Sequence, residues 1–342
     1  MLKIVVDAMG GDNAPAEIVK GAITALEKRK DFMLVLMGDE TPIAKELLKY
    51  KYDASRVDIV HCSQVITNDD EPAKSILFKK DSSIVVGLKM LRDDEKTAAF
   101  ISAGSTGAVL TGAYLIVKNL PGVLRPALCP GIPNVRGTQT LLCDCGANAE
   151  CKPENLVQFA LMASAYAKSA YGIENPRVGL LTNGTEEHKG DTLHQEAHKL
   201  LKETKGIHFV GNIEGRDIMY GDVDVAVSDG FSGNIALKAI EGCGKTVSAV
   251  LGQEFRRSLG TKLSYLCAKK PIGKLKGMLD YARLGGSAFL GLKKIVIKSH
   301  GNSKAKSITA CVLQALEAYE GKLVENLAAT LAETGFSETA GA

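Results

Sequence analysis

V-D-A-M-G-G-D-N-A-P, residues Val6 to Pro15, decides how the rest of the chain is read. Leu2–Val6 before it is a short apolar run of the kind that forms a buried strand. Pro15 after it suits the first turn of a helix, where a missing N–H costs little, with Asn13 or Ala14 near the cap. Between strand and helix, Gly10 and Gly11 let the backbone approach a ligand without a Cβ clash and supply any positive φ the turn needs. A G-G pair alone is a tight turn and nothing more. Asp7 and Asp12 on either side of it point to a turn that faces a site.

The same strand–turn–helix order recurs along the chain. Apolar runs predict strands at Leu2–Val6, Phe32–Met37, Val57–Cys62, Ala98–Ser102, Thr138–Cys143, Arg177–Leu181, Ile207–Val210, Val223–Val227 and Lys294–Lys298. Helical patterns fill the gaps near Ala16–Lys30, Ser83–Leu91, Thr106–Val117, Pro153–Tyr171, Thr192–Lys202 and Ile235–Leu251, with one long helix near Ser307–Leu331. Such alternation specifies α/β architecture, a parallel sheet with helices on both faces. Residues 1–331 read as one large α/β domain, 332–342 as a flexible tail, and no internal repeat is evident.

Composition excludes several classes. At 45% hydrophobic and 24% charged residues, the chain is an ordinary globular protein rather than a disordered or fibrous one. Its longest apolar stretch, Gly107–Val117, is too short to span a bilayer and reads as a buried helix. The N-terminus enters a strand with no basic-then-apolar leader, and the eight cysteines are scattered through apolar segments. Both features are expected of a cytoplasmic protein with reduced thiols.

The strand ends are the informative part. They release Asp7, Gly38-Asp39, Gly104-Ser105-Thr106-Gly107, Asp144-x-Gly146-x-Asn148, Asn183-Gly184, Gly211-Asn212-x-Glu214-Gly215, Asp229-Gly230 and His300-Gly301. In open α/β sheets, ligands bind beyond the carboxyl ends of the strands. Any one of these is an ordinary turn; eight on one edge call for a site. Two of them, Ser102–Ala108 and Asp229–Asn234, place glycines and hydroxyls at a helix start, where free N–H groups favour phosphate. Plain N-capping is the competing explanation, and the two weigh about evenly.

Other patterns fail on context. Ala239–Thr246, A-I-E-G-C-G-K-T, nearly matches a phosphate-binding loop but lacks its first glycine and falls inside a helical pattern. His194 and His198, four apart, have no third ligand and read as surface residues; Cys143 and Cys145 read as sharing a strand face. No metal or cofactor is expected, and neither G-x-S-x-G nor G-x-G-x-x-G is present. Between Lys245 and Arg283, nine basic residues stand against two acids, a local +7 that leaves −4 for the remainder of a +3 chain. Val247, Val250, Leu251, Phe255, Leu259, Leu263 and Leu266 run through that segment at helical spacing, and Tyr265–Cys267, Pro271-Ile272 and Met278-Leu279 read as exposed. A basic amphipathic segment implies an anionic membrane, an acidic partner or a dimer interface. Nothing in the pattern implies nucleic acid.

The motifs V-D-A-M-G-G-D-x-x-P, S-A-G-x-T-G-A, R-P-A-L (Arg125–Leu128), D-x-G-A-N (Asp144–Asn148), E-x-K-G (Glu187–Gly190), D-G-F-x-G-N-x-A-L-K (Asp229–Lys238) and V-I-K-S-H-G (Val296–Gly301) occur in this order over most of the chain. In this the sequence resembles the bacterial acyl-ACP:phosphate acyltransferases of phospholipid synthesis. It departs from their pattern at Ser105, where Asn is usual, and at L-L-T-N-G-T-E-E (Leu180–Glu187). The resemblance implies a three-layer α-β-α fold with a mostly parallel sheet, like that of phosphotransacetylases and isocitrate-type dehydrogenases, in a homodimer. It implies an acyl phosphate made from long-chain acyl-ACP and inorganic phosphate, feeding glycerol-3-phosphate acylation at the inner face of the cell membrane.

Such a reaction fits a chain without an obvious Ser-His pair or metal cluster. Phosphate is itself the nucleophile, and a thiol of pKa about 8.5 leaves readily. The protein has to position two anionic groups and stabilise an oxyanion. Motif chemistry then assigns Lys189, Lys238 and His300 to charge stabilisation and Ser105, Thr106, Ser232 and Asn234 to phosphate or oxyanion contacts. Asp7, Gly10, Gly11, Asp12, Gly104, Gly107, Asp144, Asn148, Asp229, Gly230 and Gly233 complete the expected substrate-binding set. The alternatives are a phosphate acetyltransferase acting on a short acyl-CoA and a non-enzymatic membrane adaptor; the second leaves the glycine-rich strand ends unexplained.

Overall fold

In the computed structural model, which describes residues 1–279 and 285–334, the opening run forms a strand whose alternate side chains enter opposite cores. Ile4 and Val6 join one cluster and Val5 the other, which is why the run has no polar side. The described strands are β1 (Leu2–Asp7), β2 (Phe32–Gly38), β3 (Val57–His61), β4 (Thr97–Ser102), β5 (Ala127–Cys129), β6 (Gly131–Pro133), β7 (Gln139–Cys143), β8 (Arg177–Leu181), β9 (His208–Ile213), β10 (Val225–Val227), β11 (Ser287–Leu290) and β12 (Ile295–Lys298). They form two sheets, ordered β3-β2-β1-β4-β12-β11-β5 and β6-β7-β10-β8-β9. Each is mostly parallel, with antiparallel pairing only around β11 and at β6. The chain changes sheets at Pro130, which has no N–H to donate but whose carbonyl accepts from Leu142 of β7 at 3.0 Å.

The helices are α1 (Ala16–Lys28), α2 (Glu40–Leu47), α3 (Pro72–Phe78), α4 (Ser83–Asp93), α5 (Thr106–Gly112), α6 (Pro153–Tyr171), α7 (Thr192–Glu203), α8 (Asp217–Tyr220), α9 (Gly230–Glu254), α10 (Leu259–Leu279), α11 (Ala305–Glu320) and α12 (Leu323–Glu333). Helices α1 and α11 pack together over one face of the seven-stranded sheet and α4 covers the other, while α6 lies on the five-stranded sheet. The three-layer α-β-α class therefore holds, in two sheets where the sequence implied one. Buried side chains of α6, Phe159 and Tyr166 among them, join Ile4 and Ala99 of one sheet to Leu141 and Val225 of the other in a continuous core.

Other differences have local causes. The Thr106–Val117 helix passes into a π-helical turn at Ala113–Val117. The expected long final helix is interrupted at Gly321, where any side chain would strike the Ser169 carbonyl; Lys322 takes φ 51°, and α12 turns onto α6. Ala332 and Glu333 are helical, and 335–342 lie outside the described residues. The run at Ile207–Val210 continues through Gly211 (φ +101°) to Ile213, so Gly211-Asn212 lies within β9 rather than beyond it.

Candidate active site

Five strand ends converge, and three do not. The turns after β1, β4 and β12, neighbours in the larger sheet, face those after β7 and β10, neighbours in the smaller one. Together they line a cleft of about 840 Å³. The ends of β2, β8 and β9 serve elsewhere: Asp39 caps α2 at Thr41 N (3.0 Å), Asn183 accepts from Gly190 N (3.0 Å), and Asn212 Nδ2 donates to the Glu186 carbonyl (2.7 Å). The eight glycine-rich ends therefore do not share one edge.

On the larger sheet's side, Asp7 is buried beneath the cleft. Its carboxylate accepts from Ser102 Oγ at 2.6 Å and Met9 N at 3.1 Å, and burial pushes its carboxyl above the ordinary range. Ser102 Oγ accepts in turn from Gly104 N at 3.0 Å. A Cβ on Gly10 would lie 2.6 Å from Gly104 N, and one on Gly11 (φ +90°) would lie 2.7 Å from the Gly301 carbonyl. Asp12 N donates to that same carbonyl at 2.8 Å. Asp7, Gly10 and Gly11 thus knit three turns together, while Asp12, Gly104 and Thr106 reach the cleft. At the start of α5 the Ser105 hydroxyl makes no capping bond. The N–H groups of Ser105, Thr106 and Gly107 find no acceptor among the described residues. Gly107 itself sits against Pro72, 2.7 Å from where its Cβ would be.

The smaller sheet's side is organised by two carboxylates that are internally satisfied. Asp144 Oδ1 accepts from the N–H groups of Leu128 (2.8 Å), Cys145 (2.6 Å) and Ala147 (3.2 Å). Its Oδ2 takes Asn148 N (2.7 Å) and Nδ2 (2.9 Å), and Asn148 also donates to the Pro126 carbonyl (2.8 Å). Burial still pushes the Asp144 carboxyl upward. Asp229 caps α9, accepting from Phe231 N and Ser232 N at 2.9 Å each, and Gly230 N donates to the Asn148 carbonyl at 2.8 Å. The expectation of free N–H groups at Asp229–Asn234 is therefore corrected, because N-capping uses them. Gly230 and Gly233 are there so that α9 can lie on the Asp144–Asn148 loop: a Cβ at 230 would be 2.5 Å from the Asn148 carbonyl, and one at 233 would meet the Asp144 carbonyl. Ser232 is half-buried and does not line the cleft, whereas Asn234 and Lys238, one turn apart on α9, do.

The cleft is cationic. Lys238, Lys245, Lys298, Lys304 and Lys306 line it against two carboxylates, Asp12 and Glu241, which suits anionic ligands. Lys238 Nζ donates to Glu241 Oε2 at 3.0 Å and lies 3.4 Å from His300 Nε2, itself 4.0 Å from Glu241 Oε2. Glu241 Oε1 is buried without a partner among the described residues. Burial, and then the Lys238 charge, pull the His300 imidazole below its ordinary value, so near neutral pH it is a neutral base rather than the expected cation. Lys189 does not line the cleft; its side chain lies against Gly184 and its N–H donates to the Glu186 carbonyl at 3.0 Å. Glu241, Lys245 and Lys298 were not anticipated. The signal for Lys298 was its place two residues after Val296, on the same buried face of a strand.

The discarded motifs resolve in packing terms. Ala239–Thr246 lies inside α9, as its pattern required. The histidines are not surface residues. His194 Nδ1 meets Asp191 Oδ1 at 2.6 Å and its Nε2 lies 3.7 Å from Asp229 Oδ2, and buried His198 meets Asn212 Oδ1 at 2.8 Å. Cys143 ends β7 in one core, whereas Cys145 sits past the strand end in another and donates to the Gly233 carbonyl at 3.3 Å. Among the described residues no group of three His, Cys, Asp or Glu is arranged to hold a metal, and no helix is long and apolar enough to cross a membrane.

Comparison with known proteins follows the whole length of this architecture. The streptococcal phosphotransacetylase structure from Streptococcus pyogenes superposes with a TM-score of 0.61 at 17% identity, covering 95% of this chain and 94% of its own. The EutD phosphotransacetylase from Staphylococcus aureus gives 0.57 at 20% identity over 94% of each chain. At such identities the likeness is one of fold. A phosphate acyltransferase of Clostridioides difficile is 42% identical over 326 residues, covering 95% of each chain. One of Caldicellulosiruptor saccharolyticus is 45% identical over 326 residues, 95% of this chain and 97% of its own. Residues 2–326 match the family model described as fatty acid synthesis protein, and it is to this family that the chain belongs.

Proposed function

We propose that this protein is an acyl-ACP:phosphate acyltransferase, making acyl phosphate from long-chain acyl-ACP and inorganic phosphate for phospholipid synthesis. The observation that carries the reading is the meeting of five strand ends around one lysine-rich cleft, with N–H groups at the start of α5 that find no acceptor among the described residues. A phosphate oxygen attacks the thioester carbonyl carbon, a C–O bond forms, and the C–S bond breaks. The proton of hydrogen phosphate ends on the departing thiolate. Thr106 and the N–H groups of Ser105 to Gly107 hold phosphate, and Asn234 Nδ2 and Lys238 Nζ stabilise the oxyanion. Neutral His300 relays the proton, and Glu241 holds Lys238 and His300 in place. Assay of acyl-ACP and acyl-CoA donors over a range of chain lengths tests the reading. Turnover confined to short acyl-CoA would replace it with a phosphate acetyltransferase.

The continuous core supports reading residues 1–331 as one domain. The described part of the basic segment forms the end of α9 and α10, and α10 packs chiefly on α9, with Phe255 and Tyr265 rings 5.4 Å apart. Leu259, Leu263 and Leu266 are exposed beside Lys262, Lys269 and Lys270, which supports peripheral contact with an anionic membrane at its cytoplasmic face. Ile272, expected to be exposed, is buried and takes no part; the Met278 and Leu279 side chains and residues 280–284 lie outside the description. Val247 and Val250 on α9 are exposed apolar residues suited to a second copy of the chain in a homodimer, which light scattering of the full chain tests. Acidic acyl carrier protein docks on the basic residues nearer the cleft.

A further inference from the structure

Lys298 is a buried charge that forms no ion pair with a described carboxylate. It ends β12 on the face of fully buried Val296, is 7% exposed, and lines the cleft. Its ammonium has three donors, and the one described acceptor is the Ser299 carbonyl. No carboxylate among the described residues forms an ion pair with it, Asp7 and Asp12 acting only at longer range, although a buried ammonium is costly unless it is paired. The Asp7 oxygens are already taken by Ser102 and Met9. Its environment therefore leaves two donors without a described acceptor and a charge without an ion-pair partner, at the wall of a cleft that opens to ligands.

We propose that Lys298 is a binding residue for the substrate phosphate, whose oxygens complete the two donors that Ser299 leaves over. This rests on the phosphate acyltransferase reading above. The charged or titratable groups that act on it are Cys311 from α11, Asp7 and Asp12 from β1 and its turn, Lys238 from α9, and His300 after β12, while Glu241, Lys245, Lys304 and Lys306 line the same cleft. Burial pulls the Lys298 ammonium down to about 8 and pushes the Cys311 thiol up to about 11, so between these values Lys298 loses its proton while Cys311 keeps its own. A bound phosphate favours the charged ammonium. Phosphate binding at and above pH 8 therefore draws a proton from solution, and affinity falls as the pH rises past that point.

Calorimetric titration of inorganic phosphate into the full chain, with no acyl donor and from about pH 7 to about pH 9.5, tests this. The wild type should lose affinity by up to about tenfold per pH unit in the upper half of that range, with a heat that depends on the buffer as protons are taken up. Lys298→Arg should keep the affinity and lose the fall, because a guanidinium does not deprotonate there. Lys298→Met should bind about 10- to 100-fold more weakly at the lower pH. Phosphate binding by Lys298→Met as tight as wild type, or a steep fall retained in Lys298→Arg, overturns the assignment. Absence of proton uptake by the wild type near pH 8.5 overturns it too, whatever the variants' folding. If instead phosphate binding and proton uptake persist and no acyl phosphate ever forms, Lys298 stands and the acyltransferase reading falls.

Discussion

Gly230→Ala should disable the site through one added methyl group. The new Cβ would lie 2.5 Å from the Asn148 carbonyl oxygen, 2.7 Å from Asp144 Oδ2 and 2.8 Å from the Asn148 carbonyl carbon. None of these can step aside, because five hydrogen bonds pin Asp144 and the Asn148 side chain is bound to Asp144 and Pro126. To restore an ordinary contact of 3.4 Å, the first turn of α9 must lift by about 0.9 Å, carrying Asn234 and Lys238 with it. Overpacking of this kind costs roughly 1–3 kcal/mol. A misplacement near 1 Å lowers turnover by about 100-fold. Gly242→Ala on the same helix is the control, since no described residue lies within 4 Å of its Cβ and alanine favours a helix by about 1 kcal/mol. Acyl phosphate formation and the melting temperature should be measured for both. Near wild-type turnover in Gly230→Ala, or equal damage in Gly242→Ala, would refute the reasoning.

Asn234→Ala and Lys238→Ala should each lower turnover about 100- to 1000-fold while the melting temperature stays near wild type, as read by paired kinetic and thermal assays. Phosphate should raise the melting temperature by simple linkage, and Thr106→Val should lose much of that shift; a shift kept intact would move phosphate away from the α5 turn. Because folding lowers the proton affinity of His300 below 6.5, the unfolded chain binds more protons just under that pH, so this group makes stability fall as the pH drops through it. The acid limb of turnover should likewise lie below 6.5 and vanish in His300→Gln. Leu263→Glu and Leu266→Glu should lose co-sedimentation with anionic vesicles and keep solution turnover; the reverse outcome would give α10 to the carrier protein.

The parts of the fold legible in the sequence were those whose signal is local. Phe32–Met37 and Arg177–Leu181 read as strands because runs buried on both faces are apolar throughout, and Pro153–Tyr171 was bounded by its own proline and glycine. Strands β5, β6 and β11 fall outside the strand–helix alternation that marks the others, equally short β10 and β12 included, because all three pair antiparallel. β5 and β6 join different sheets on either side of Pro130, and β11 pairs with β5 far away in sequence, long-range events that no window contains. The same limit applied to the site. Asp144 and Asp229 were recognisable as unusual, but only the coordinates distinguish a carboxylate facing a ligand from one saturated by its own loop. Asn234, Lys238, Thr106 and His300 could be picked out because their helices and turns begin at the right strand ends. Glu241 was hidden in the discarded A-I-E-G-C-G-K-T stretch, whose failure as a loop said nothing of what its helix faces.

The most direct test incubates the purified chain with long-chain acyl-ACP and labelled inorganic phosphate, and counts acyl phosphate against free carrier thiol. On the acyltransferase reading, the two should appear in equal amounts and only when phosphate is present. Thiol released without phosphate, or label that never enters an acyl product, would contradict it.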